Sequence, residues 1–182
     1  PNPLQEAVQA GGDTNFADLA KKIEDICKKL DVPVIAKEVG WGISERTAKL
    51  LADCGVDAID VAGAGGTSWS QVEMHRAPDE FTRELAATFV DWGINTADSI
   101  LNVKRAAPKM IIFASGGVKN GLDIAKSIAL GATLGGMATP FLRNAMISTE
   151  KTIEMVDLIK SQLEVTLFSS GISDLTQLNL LK

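Results

Sequence analysis

Apolar positions along the chain switch between helical and extended spacing, and the switches mark out a series of alternating elements. Phe16, Leu19, Ala20, Ile23, Ile26, Cys27 and Leu30 recur every three or four residues, which predicts an amphipathic helix capped by Asp13 or Thr14. Val32-Pro33-Val34-Ile35-Ala36 follows as a short apolar run, the pattern of a strand covered on both faces. A second helix is predicted over 44–54, with Ser44 as N-cap and Gly55 in the left-handed stop position. The next apolar run is Ala58-Ile59-Asp60-Val61-Ala62, followed by a longer polar stretch. Helical spacing resumes over 96–107 and ends before Pro108, and Met110-Ile111-Ile112-Phe113-Ala114 reads as a third strand. A helix over 121–130 stops at Gly131, a fourth strand is expected over 132–137, and Ile153, Val156, Ile159, Leu163 and Leu167 form one stripe on a long helix at about 150–169.

Strands alternating with helices through short links predict an α/β fold with a parallel sheet and right-handed crossovers. Two units end alike, in Ala52-Asp53-Cys54-Gly55-Val56-Asp57-Ala58 and Ala129-Leu130-Gly131-Ala132-Thr133-Leu134, a weak internal repeat. A doubly wound open sheet would show the same alternation. The (β/α)8 TIM barrel is the preferred reading, because polar and glycine residues gather where each strand ends. A complete barrel needs about 250 residues, so the 182 residues are expected to form its C-terminal half, roughly strands 5–8, as one domain over 1–182.

Composition narrows the function classes. A net charge of −5 argues against a nucleic-acid footprint. No apolar run approaches the roughly 18 residues of a membrane span, and nothing resembles a secretory leader, so a cytoplasmic protein is expected. Cys27 and Cys54 share no metal-ligand spacing and are expected as reduced thiols. His75, the single histidine, stands in a polar stretch and is expected to be solvated.

The chemistry-bearing residues cluster at strand ends. Ser115-Gly116-Gly117-Val118-Lys119-Asn120-Gly121 follows a strand and opens a helix, so small residues and free N–H groups can approach an anion. Gly135-Gly136-Met137-Ala138-Thr139 repeats the arrangement one unit later, where barrels commonly hold phosphate. Gly63-Ala64-Gly65-Gly66-Thr67-Ser68-Trp69 adds a third glycine-rich loop with a hydroxyl and an indole. Lys37-Glu38 ends the first strand, where a lysine could pair with a phosphate or stabilise electron density in a flavin ring. Asn2-Pro3-Leu4-Gln5-Glu6 reads as a polar loop whose amide and carboxylate could hold a metal–phosphate pair.

Together, Asn2-Pro3-Leu4-Gln5-Glu6, Lys37-Glu38-Val39-Gly40, Gly63 to Trp69, Asp91-Trp92-Gly93 and Ser115-Gly116-Gly117 resemble type 2 isopentenyl-diphosphate delta-isomerase. The resemblance implies a (β/α)8 flavoenzyme that interconverts isopentenyl and dimethylallyl diphosphate with reduced FMN and Mg²⁺. It further implies isoprenoid biosynthesis as the setting, NADPH as flavin reductant, and a homo-oligomer, tetrameric or larger. By motif, Gln5 resembles the glutamine beside the substrate alkene, Glu6 the Mg²⁺-binding glutamate, and Asn2 the asparagine near the diphosphate. Lys37, Thr67, Gly117, Val118, Lys119, Ala138 and Thr139 match FMN-contacting positions, as does Ala62, which is a serine in some members. Trp69 resembles the aromatic wall near the substrate, and with Gln5 it is a candidate catalytic residue.

The implied chemistry is acid–base, with the reduced flavin carrying the proton and Gln5 orienting or relaying. The family's histidine would stand two positions before Asn2, so the chain is expected to be a piece of a longer protein, inactive alone or working as assembled halves. Two rivals remain. One is another FMN-dependent oxidoreductase on this barrel, although a hydroxyacid oxidase would want a histidine and arginine in its loops. The other is a non-catalytic half-barrel that binds flavin or phosphate.

Overall fold

The computed structural model describes residues 2–9 and 11–180; the expected domain of 1–182 therefore includes four positions outside the described ones. Helix α1 (Pro3–Val8) comes first, where a polar loop is expected. Asn2 caps it by accepting the Gln5 N–H, and Pro3 sits in the first turn, where its missing N–H costs nothing. Helix α2 (Leu19–Lys29) begins later than the sequence suggests. Asp13 and Asn15 use their side chains in local turns instead, accepting the N–H groups of Asn15 and Ala17. Neither Asp13 nor Thr14 is the cap; Asp18 takes that position in a left-handed conformation, with no side-chain bond.

Strand β1 (Ile35–Lys37), helix α3 (Glu45–Asp53) and strand β2 (Ala58–Asp60) follow. Beyond them, the polar stretch is helical: α4 (Trp69–Arg76) and α5 (Glu80–Ala87) are capped by Ser68 and Asp79. Helix α6 (Thr96–Ala106), strand β3 (Ile111–Ala114), helix α7 (Gly121–Ala129) and the two-residue strand β4 (Leu134–Gly135) complete the alternation. Helix α8 (Thr139–Ala145) and the long α9 (Thr149–Ser169) close the chain, before a 3-10 segment at Leu175–Leu180.

All strand pairs are parallel, and their order is β1-β2-β3-β4. A doubly wound sheet reverses its strand order at a switch point. A strictly sequential order is instead an arc of a (β/α)8 barrel, here four successive units.

Register and the two-residue alternation sort side chains onto two faces. Ala36, Ile59, Ile112 and Ala114 point outward, and the last three are wholly buried beneath Ala48, Leu51, Ile100 and Val103 of α3 and α6. Ile35, Lys37, Ala58, Asp60, Ile111, Phe113 and Leu134 share the inner face. There Ile35 is 50% exposed and Ile111 45%.

On α9, Ile159 is buried, and Leu163 and Leu167 pack against the cluster of Ala125 and Ile128 on α7. Ile153 and Val156 remain exposed, so the apolar stripe covers the core only along its C-terminal part. Gln162 fixes the contact by accepting the Gly121 N–H at 2.7 Å. Among the described residues, no helix is long and apolar enough to cross a membrane.

Candidate functional site

The strand C-termini surround an open cavity of about 1270 Å³. Two glycine-rich loops form its floor. The Ser115–Gly116–Gly117 turn lies so close to the loop after β2 that a Cβ on Gly116 would stand 2.1 Å from the Gly63 carbonyl oxygen. One on Gly117 would stand 2.4 Å from that of Gly65. Both residues have positive φ, +100° and +75°, so only glycine meets the conformation and the packing together.

Thr96, the first residue of α6, ties the turn down: its hydroxyl donates to the Gly116 carbonyl at 2.6 Å and lies 3.2 Å from that of Ser115. Among the described residues, the N–H groups of Gly117, Val118, Ala138 and Thr139 have no hydrogen-bond partner. They belong to the cavity lining, and α7, capped by Asn120, begins just beyond. Unpaired N–H groups and a helix N-terminus suit a phosphate.

At the strand ends the site is charged. Lys37 Nζ lies 2.9 Å from Asp60 Oδ2 and 3.3 Å from Ser115 Oγ, and Ser115 Oγ donates to Asp60 Oδ1 at 2.6 Å. In-register pairing of Lys37 with Asp60 makes this contact automatic. Ala62 turns the chain out of β2 at φ +30°, a left-handed conformation for a non-glycine residue. Its N–H donates to Asp60 Oδ1 and its carbonyl accepts from Gly42. The strand therefore ends at Asp60, short of the expected Ala62.

The opposite wall comes from α1 and α4. Gln5 Nε2 donates to Glu73 Oε1 at 2.6 Å, so the amide is held, and its oxygen has no partner among the described residues. Asn2 is buried; its Oδ1 accepts from the Trp41 indole at 2.6 Å and from the Gln5 N–H, while its Nδ2 has no partner among the described residues. Glu38 fixes the Trp41 loop by accepting the N–H groups of Val39, Gly40 and Trp41. Trp69 opens α4 and lies over Gly40.

Of the expected site residues, Asn2, Gln5, Lys37, Ala62, Thr67, Trp69, Gly117, Val118, Lys119, Ala138 and Thr139 all line this cavity. Glu6 does not. Neighbouring helix positions point about 100° apart, and Glu6 faces a separate cavity of about 200 Å³ beside Asp13 and Lys22. Its Oε2 accepts from Gln9 Nε2 and the Asp13 N–H. Among the described residues, no three metal-ligating side chains gather to hold an ion. His75 is exposed on α4 and does not line the cavity.

Four contributors escape sequence reasoning: Asp60, Glu73, Thr96 and Arg143, the last on α8 at the cavity rim. Asp60 alone leaves a signal, as a charge inside an otherwise apolar strand.

A parallel barrel arc with a glycine-lined cradle at its strand ends suits a phosphate-bearing cofactor. Residues 5–181 match the FMN-dependent dehydrogenase family, and the chain belongs to it. Within that class, the sequence is 49% identical over 177 residues to isopentenyl-diphosphate delta-isomerase of a Nostoc species, covering 97% of this chain and 51% of that protein. The isomerase of Pseudescherichia vulneris is likewise 49% identical, over 179 residues, with 97% and 52% covered. The chain thus spans about half the length of the curated relatives it matches. Among solved structures, a mutant flavocytochrome b2 with benzoylformate superimposes with a TM-score of 0.65 at 20% identity, over 91% of this chain and 38% of that one. That likeness shows the fold.

Proposed function

We propose that this chain is the cofactor-holding half of an isomerase that interconverts isopentenyl and dimethylallyl diphosphate with reduced FMN. The observation that carries the proposal is one cavity joining Gln5 and Trp69 to Lys37 and the two glycine loops, in a chain that resembles such isomerases along 97% of its length. Bound reduced FMN would supply the proton and an electron-rich face against the alkene.

The residues divide the work. The free N–H groups of Gly117, Val118, Ala138 and Thr139 would hold the FMN phosphate, with Lys119, Thr67 and the Ala62 backbone beside it. Lys37 would meet the electron-rich part of the flavin. Trp69 would wall the hydrocarbon from water. Asn2, buried at the cavity wall beneath the Trp41 indole, would stand near the substrate diphosphate. Gln5 does not titrate usefully; held by Glu73, it would orient or relay a proton at the alkene through its amide oxygen. Glu6 turns away from this cavity, so the arrangement does not fit a magnesium ion bridging Glu6 to the substrate, and no step is assigned to a metal. NADPH as the flavin reductant, a cytoplasmic setting, a single domain and a homo-oligomeric assembly belong to the same proposal.

The test is an anaerobic assay of the full-length gene product that contains this chain, with FMN, dithionite or NADPH, and isopentenyl diphosphate, reading dimethylallyl diphosphate, with and without Mg²⁺. Turnover that requires reduced flavin is expected, with a drop of about 100-fold or more in Gln5→Ala, the scale of a positioned proton-transfer partner. Tight FMN binding without product would overturn the isomerase reading and leave the oxidoreductase or non-catalytic one.

A further inference from the structure

Asp60 carries more than a strand end. Its carboxylate is 14% exposed and accepts three donors: Lys37 Nζ at 2.9 Å on Oδ2, with Ser115 Oγ at 2.6 Å and the Ala62 N–H at 3.3 Å on Oδ1. Lys37, by contrast, is more than half exposed and has only Asp60 and Ser115 as partners among the described residues. A long, mobile ammonium is therefore positioned by a carboxylate that is itself fixed from two other directions. All three side chains line the cavity.

We infer that Asp60 is a positioning residue that acts through Lys37: its carboxylate offsets the ammonium charge at the cofactor, thereby setting how readily a bound flavin is reduced. This rests on the FMN reading above. Reduction by an external donor adds two electrons and one proton to the flavin and leaves one negative charge on the ring. A free ammonium beside the ring favours that product, and a carboxylate paired to the ammonium weakens the preference. The cost to the protein is small, because the pair arises directly from strand register. Ser115 and Ala62 keep the carboxylate in place.

Asp60→Asn removes the charge and retains an oxygen for Ser115 and Ala62. The Lys37 ammonium, still held by the Ser115 hydroxyl oxygen, is then uncompensated, and the reduced form gains. Lys37→Met leaves Asp60 unopposed and should act in the opposite direction. The experiment measures the affinity of the protein for oxidised FMN in air and for reduced FMN under dithionite; the ratio of the two gives the shift in reduction potential. In Asp60→Asn the ratio should move toward reduced FMN by about tenfold, which for a two-electron couple is about 30 mV. In Lys37→Met it should move toward oxidised FMN. A urea midpoint and circular dichroism on each variant check folding, and Lys37→Met, at an exposed side chain, keeps the test open should Asp60→Asn unfold.

Equal changes in both affinities, with the ratio unmoved, would overturn the inference and place Lys37 at the phosphate. A ratio moving toward oxidised FMN in Asp60→Asn would also overturn it. Failure of the unaltered protein to bind FMN in either state would remove the cofactor reading itself, a distinct result.

Discussion

The two faces of the sheet are built from the same strands yet obey different rules. The outer face is aliphatic, wholly buried at Ile59, Ile112 and Ala114, and sealed by α3 and α6. The inner face carries Ile35 and Ile111 part-exposed at the strand N-terminal ends, and Lys37 and Asp60 at the C-terminal ends, level with Phe113 and Leu134. The outer face holds the helices to the sheet, and the C-terminal end of the inner face carries the charged site. In an arc of a barrel, alternation along each strand allots them, so a single residue step separates a core position from a site position.

The largest effect should come from the sealed face. Ile59→Ala is expected to cost about 2–5 kcal/mol, since it leaves a cavity among side chains that cannot close in. In this chain by itself, Ile111→Ala on the half-exposed inner face should stay within about 1 kcal/mol. Urea unfolding of both variants measures the contrast, and equal losses would break the distinction between faces.

The glycine loops sharpen the comparison at the site. Gly116→Ala should cost about 1–3 kcal/mol from its positive φ alone. The clash with the Gly63 carbonyl should add to this and open the floor, so FMN affinity falls as well. Gly136→Ala meets only the Ser115 Cβ at 3.6 Å, has no positive φ, and should leave stability nearly unchanged.

The smallest effect concerns the thiols. Burial pushes the Cys54 thiol up, helped by the nearby Glu24 carboxylate, while Cys27 is only half-buried. Since the thiolate is the nucleophile, Cys54 should react with iodoacetamide more slowly than Cys27 at neutral pH. A raised thiol value means that the folded state keeps its proton longer. Its stability is therefore unaffected by this group at neutral pH and falls as pH climbs above the ordinary thiol range, about 8.5. Peptide mapping and a pH series of midpoints check the two statements.

The buried half of the fold was readable because it depends on periodicity. Ile59, Ile112 and Val103 announce their elements by spacing alone, and Gly55 and Gly131 stop helices where expected. The missed helices had weaker cues. Helices α4 and α5 carry polar sequences whose caps, Ser68 and Asp79, lie inside stretches rich in similar residues. Helix α2 starts late because Asp13 and Asn15 satisfy neighbouring N–H groups in turns, a competition that spacing cannot decide.

At the site, motif residues on loops were legible and their supports were not. Glu73 stands 68 positions from Gln5 and Thr96 stands 20 from Gly116, so nothing local relates them. Glu6 shows the reverse. Its motif is clear, but the turn of a six-residue helix directs it away from its neighbour's cavity.

The Thr96 hydroxyl, clasping the Gly116 carbonyl, has a consequence for the energetics of capture. With the two glycine loops in contact and tied to the start of α6, the chain's own contacts fix the shape of the cradle. If the cradle takes the FMN phosphate as proposed, that ligand would meet a preorganised mould, and little of the interaction would go into ordering flexible chain. Thr96→Val, which loses the clasp and little volume, would convert the mould into a loop that each arriving ligand must freeze anew.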